Sequence, residues 1–130
     1  MQTVVEALDH AASTWPDRVA WRFDPGRTLT FTEVAYDVGR LAAALHADGV
    51  GPGDRVAVLL PNRAEHPLTW LALMRLGAAS VPVNVRYRSA DAAHVLTLTG
   101  ATRVVTDAGR FVLTVRPERQ AGPGPHVVGQ

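Results

Sequence analysis

The chain has 130 residues, 47% of them hydrophobic and 19% charged, the balance of an ordinary globular protein, with a formal charge of +1. No apolar run approaches the ~20 residues of a membrane span, and the near-neutral charge leaves no electrostatic footprint for nucleic acid or an anionic membrane. The absence of cysteine excludes disulfides, thiolate catalysis and the common structural zinc sites, and the absence of lysine makes all 13 cations arginines, none of which can become an amine base or a Schiff-base former.

In chain order, Thr3 and Glu6 form a capping box that opens an amphipathic helix running to about Ser13. The N-terminal stretch MQTVVEALDH has acids and no basic segment before an apolar core, so a secretory signal is not expected and a cytoplasmic location is. Trp15-Pro16-Asp17 breaks the helix, Val19 to Phe23 reads as a strand, and Asp24-Pro25-Gly26-Arg27 turns into a second short strand. Thr30 and Glu33 make another capping box. After it Phe31, Val34, Ala35, Val38, Leu41, Ala42 and Leu45 keep helical spacing for four turns, until Gly49 closes the helix as a left-handed cap.

Val56 to Leu60 lacks polar alternation and is therefore expected to be covered on both faces, as parallel strands are. Leu68 to Leu76, apolar nearly all round, predicts a helix buried on more than one side and closed by Gly77; Ser80 to Val83 follows as a strand. Ser89 caps a further helix in which Ala92, Val95, Leu96 and Thr99 share a face, Gly100 ends it, and Arg103 to Thr106 is a strand. Arg110 to Val115 has strand propensity, whereas PERQAGPGPHVVGQ reads as a linker with one apolar fragment, His126-Val127-Val128. From Arg55 the order is β-α-β-α-β, which winds right-handed. The expected class is α/β: a partial doubly wound, mostly parallel sheet with flanking helices, preceded by a helix and a short hairpin. Residues 1–116 form the folded part and 117–130 a Pro/Gly-rich tail.

Few residues offer chemistry. Gly49, Gly51 and Gly53 invite a phosphate-loop reading, but such a loop follows a strand and opens a helix, whereas this one follows a helix and opens a strand, and Asp54 stands where the last glycine of G-x-G-x-x-G belongs. There is no G-x-S-x-G elbow and no H-E-x-x-H. No two of His10, His46, His66, His94 and His126 are spaced i, i+4 as a helical metal site requires. His66 adjoins Glu65, but neighbours on a helix point apart. The carboxylates are scattered among caps and turns and form no acid/base pair, so the chain offers no catalytic and no metal-ligating set. Asn62 and Arg86 stand just past the ends of predicted parallel strands, the edge where open α/β sheets gather ligands. On the residues alone the favoured reading is that Asn62 caps the helix that follows and Arg86 lies in solvent. Arg86-Tyr87-Arg88 is a small basic, aromatic cluster whose guanidinium groups suit a phosphate.

Together LTFTEV (Leu29 to Val34), GVGPGDRVAVLLPNRAEH (Gly49 to His66) and LMRLGAASVPVN (Leu73 to Asn84) resemble, in order and spacing, the opening of the adenylate-forming superfamily: acyl- and aryl-CoA synthetases, nonribosomal-peptide adenylation domains and luciferases. The likeness runs from Thr3 to about Asp107. MQTV and LHADGV also look like the start of aryl-CoA ligases. The resemblance implies activation of a carboxylic acid with ATP and Mg to an acyl-AMP, often followed by transfer to the thiol of CoA. The family's Ser/Thr/Gly-rich phosphate loop with its lysine, its Tyr-x-x-Thr-Glu segment, its ribose-binding Asp and its C-terminal catalytic lysine resemble nothing in this chain.

What is implied is thus an N-terminal scaffold segment of an acyl- or aryl-CoA synthetase, inactive alone: a truncated gene product, an expressed fragment, or one half of a split enzyme whose complementary polypeptide carries the ATP site. The alternative is a non-catalytic binding or assembly module, as a homodimer or as the partner of a split ligase. One residue carries over. Aryl-CoA ligases have Asn-Pro-Arg after this strand, the Arg contacting the phosphate region of CoA; Asn84-Val85-Arg86 keeps the Asn and the Arg and replaces the rigid Pro with Val.

Overall fold

The computed structural model describes residues 3–23, 26–60, 63–83, 94, 96–101, 103–106, 112–116 and 126–128. Helix α1 (Val4–Thr14) starts at the expected capping box, the Glu6 amide donating to Thr3 Oγ1 at 3.0 Å and the Thr3 amide to Glu6 Oε2 at 3.3 Å. Strands β1 (Val19–Phe23) and β2 (Arg27–Thr30) pair antiparallel with a register shift between Val19 and Trp21. The residues Asp24 and Pro25 of the expected turn lie outside the described residues. Helix α2 (Phe31–Ala47) starts at the Thr30–Glu33 box and buries Val34, Val38, Ala42 and Leu45 along one stripe. The hairpin lies on α2: Leu29 is buried with that stripe, and Trp21 and Phe23, edge to face at 6.0 Å, pack against it.

Strand β3 (Arg55–Leu59) pairs parallel with β4 (Ala79–Pro82) on one side and with β5 (Arg103–Thr106) on the other. Helix α3 (Glu65–Arg75) joins β3 to β4, and residues 94 and 96–99 are helical between β4 and β5. Strands β6 (Val112–Arg116) and β7 (His126–Val128) extend the sheet antiparallel, giving the order β4-β3-β5-β6-β7. The His126-Val127-Val128 fragment within the Pro/Gly-rich stretch is thus a paired strand.

The crossover from β3 to β4 and the one from β4 back past β3 to β5 run in opposite directions, so right-handed connections must place their helices on opposite faces of the sheet. The cores agree. Val56 and Val58 join Leu68, Leu71, Ala72 and Leu73 of α3 and the buried stripe of α2, while Ala57 on the other face packs with Val83, Ala101 and Val104, against which Leu96 lies. Side chains alternate across a strand, so one apolar run feeds two cores. This is the structural content of the missing polar alternation. Pro82 sits in a strand because the amides of Ala79 and Val83, on either side of it, face β3 and donate to Asp54 and Val58 at 2.8 and 3.0 Å; the proline nitrogen faces outward and removes no ladder bond.

Helices α2 and α3 end alike. The Val50 amide reaches back to the Leu45 carbonyl at 3.0 Å and Gly49 to His46 at 2.9 Å; Ala78 reaches Leu73 at 3.0 Å and Gly77 reaches Met74 at 3.1 Å. Both are Schellman motifs, with glycine at φ 97° and 74° and an apolar residue, Val50 or Ala78, turned into the core. The two ends also hold each other: the Gly53 amide donates to the Gly77 carbonyl at 3.0 Å, and Pro52 lies 3.5 Å from where a Gly77 Cβ would be. Asp54 closes the loop by accepting the Gly51 amide at 2.7 Å. At Gly49 the space is taken by Arg103, whose Nη2 lies 2.7 Å from a notional Cβ and donates to the Asp48 carbonyl at 2.8 Å.

Gly49→Ala combines an unfavourable backbone with a displaced arginine and should cost about 1–3 kcal/mol in urea denaturation. Gly51→Ala, with open space at its Cβ, should stay within about 0.5 kcal/mol of wild type. In the core, Leu73→Ala should cost about 2–5 kcal/mol. Leu98→Ala, at a position 71% exposed, should be near neutral by the same measurement; equal losses at the two leucines would contradict the placement of the core.

Candidate functional site

The strand edges decide where a ligand could sit. The helix that follows β3 and the helical residues that follow β4 lie on opposite faces of the sheet, and between two strands whose connections part in this way a crevice opens at their C-terminal ends. The pairing of β3 with β4 runs up to that lip, where the Val83 amide donates to the Val58 carbonyl at 3.0 Å. The described wall is apolar: Leu60 and Val83 are buried and Leu59 is half-buried. Asn62 and Arg86 follow Leu60 and Val83 in the chain, but both, with Tyr87 and Arg88, lie outside the described residues.

The neighbouring start of α3 is described, and it corrects one expectation. The residue capping this helix is Ala64, with no side-chain hydrogen bond, in place of Asn62; a turn in which the His66 amide donates to the Arg63 carbonyl at 3.1 Å leads directly into the helix. Helix α3 also begins at Glu65, three residues before its apolar run. Glu65 accepts from Arg27 Nη1 of β2 at 2.7 Å. That hydrogen bond, opposed by partial burial and aided by the charges of Arg27 and Arg63, holds the Glu65 carboxyl below its ordinary value of 4.5. The pair fastens the hairpin to the helix bordering the crevice.

The glycine cluster lies at the far end of β3, at its N-terminus, where its amides are spent on Asp54 and Gly77. It is a structural turn, as its context in the sequence indicated. The histidines do not converge: His10 stands edge to face with Trp15 at 5.9 Å, His46 is in the last turn of α2, and no three His, Asp or Glu side chains among the described residues come close enough to hold a metal ion. No described helix is long and apolar enough to cross a membrane.

Several cations hold the framework in ways that the sequence did not signal. Arg55 Nη1 donates to the Thr99 carbonyl at 2.7 Å, Arg75 Nη2 to Asp9 Oδ1 at 2.7 Å, and Arg103 Nε to Asp48 Oδ2 at 3.2 Å. Each joins residues at least 44 positions apart, beyond the reach of any local motif.

A family model described as AMP-binding enzyme matches residues 8–128. The salicyl-AMP ligase / salicyl-S-ArCP synthetase of Mycobacterium tuberculosis is 36% identical over 108 residues, covering 80% of this chain and 19% of its own length. The feruloyl-CoA synthase of an Amycolatopsis species is 39% identical over 100 residues, covering 71% of this chain and 20% of its own. The N-terminal subdomain of Klebsiella oxytoca NpsA, in complex with 3-hydroxyanthranilyl-AMSN, superposes with a TM-score of 0.78 at 34% identity over 84% of this chain and 28% of that one. The chain therefore spans about a fifth of the length of these two curated relatives.

The Arg27–Glu65 pair supplies a pH test. Because the folded carboxyl is the stronger acid, its stabilisation is present above pH 4.5 and is lost as the pH falls through the lower, folded value. Both side chains are about half exposed, so solvent screening limits the pair to about 0.2–1 kcal/mol. Glu65→Gln should be less stable than wild type by that amount at pH 7, and the difference should vanish in acid and shrink in high salt; a difference that persists at pH 3 would sink the assignment.

Proposed function

Because the chain belongs to the AMP-binding enzyme family, we propose that it is the opening scaffold of an ATP-dependent acyl- or aryl-CoA synthetase, an acid–thiol ligase, and that it is inactive until further segments complete it. The observation that carries this is a conjunction. The chain aligns over most of its length with the N-terminal subdomain of an adenylating enzyme, yet over only 28% of that subdomain, and it has no lysine.

The chemistry explains why that matters. When a carboxylate oxygen attacks the α-phosphorus of ATP, the bond to pyrophosphate breaks and negative charge gathers on the leaving group; positioned cations and amides must already face it. The described residues form no such cradle: Arg27, Arg55, Arg75 and Arg103 are committed to ion pairs and helix ends, and the Gly51 and Gly53 amides to Asp54 and Gly77. No nucleotide step is assigned to them. What they do is hold the lip between β3 and β4 in register, so that residues arriving from elsewhere meet a fixed edge.

The family resemblance extends to Arg86 as a contact to the phosphate region of CoA, since a guanidinium suits a phosphate through paired hydrogen bonds. The missing groups would come from a complementary polypeptide carrying the ATP site, in the cytoplasm where ATP and CoA are available. The alternative is a non-catalytic binding or assembly module, which as a homodimer needs no such partner.

Purified chain assayed for ATP/pyrophosphate exchange with a panel of aryl and acyl acids should match a heat-killed control; turnover well above it would overturn the proposed inactivity. A tagged chain should recover from its source lysate a polypeptide whose peptides include a Ser/Thr/Gly-rich phosphate loop, and recovery of none would favour the assembly module. In the completed ligase, Arg86→Ala should raise the KM for CoA several-fold and leave pyrophosphate exchange unchanged. An unaltered KM would remove Arg86 from the CoA site.

A further inference from the structure

We draw no further inference here: the strongest candidate, the outer face of α3 formed by Pro67, Trp70 and Met74 beside the edge strand β4, is an unpartnered apolar face, and nothing in the structure shows what covers it.

Discussion

The parallel pairing of β3 with β4 rests on two glycine turns that grip each other. A parallel pair has no tight hairpin to set its register, so something else must do so. Here the loops leading into the two strands are hydrogen-bonded directly, Gly53 to Gly77 and Ala79 to Asp54. A slip by one residue would send Val56 and Val58 to the side built for Ala57 and leave both cores misfilled. Everything at the opposite end of the sheet inherits this alignment, because Val56↔Ser80 and Val58↔Pro82 follow from it. The lip where ligands of such sheets gather is thus fixed from below, by residues with no chemical part to play.

The use of arginine fits that division of labour. Arg55 and Arg103 stand at the starts of β3 and β5 and direct their guanidinium groups at the last carbonyls of helices, where a cation both satisfies unpaired acceptors and opposes the negative end of the helix dipole. A guanidinium does this well because it offers several donors in a rigid plane and never loses its charge. The same property makes it useless as a base. Arg55 and Arg103 are in this sense equipped to keep a shape.

Much of the fold was legible in the sequence because its signals are local. The boxes at Thr3–Glu6 and Thr30–Glu33, the glycines closing α2 and α3, and the unbroken apolar run of β3 each follow from short-range geometry, and each appears in the structure. The boundaries that moved did so for long-range reasons. Strand β4 begins at Ala79, whose amide donates to the Asp54 carbonyl, and α3 begins at Glu65, whose carboxylate accepts from a hairpin far back in the chain. The pairing of β7 with β6 was likewise invisible, since three residues between prolines and glycines carry too little pattern to register as a strand. For the candidate site, strand order pointed to the C-terminal edge of β3 and β4, where Asn62 and Arg86 lie outside the described residues, but not to the arginine contacts at the starts of β3 and β5.

The bond from Arg103 to Asp48 and that from Arg55 to Thr99 close loops of 55 and 44 residues. Chains dominated by such distant contacts fold slowly, because the entropy of closing each loop is lost before the contact repays it. Strand β3 therefore waits for shelter during synthesis: its apolar run emerges long before β5 exists to cover its second edge. For that interval the nascent chain carries a sticky, unpaired ribbon, the condition under which chaperones are needed.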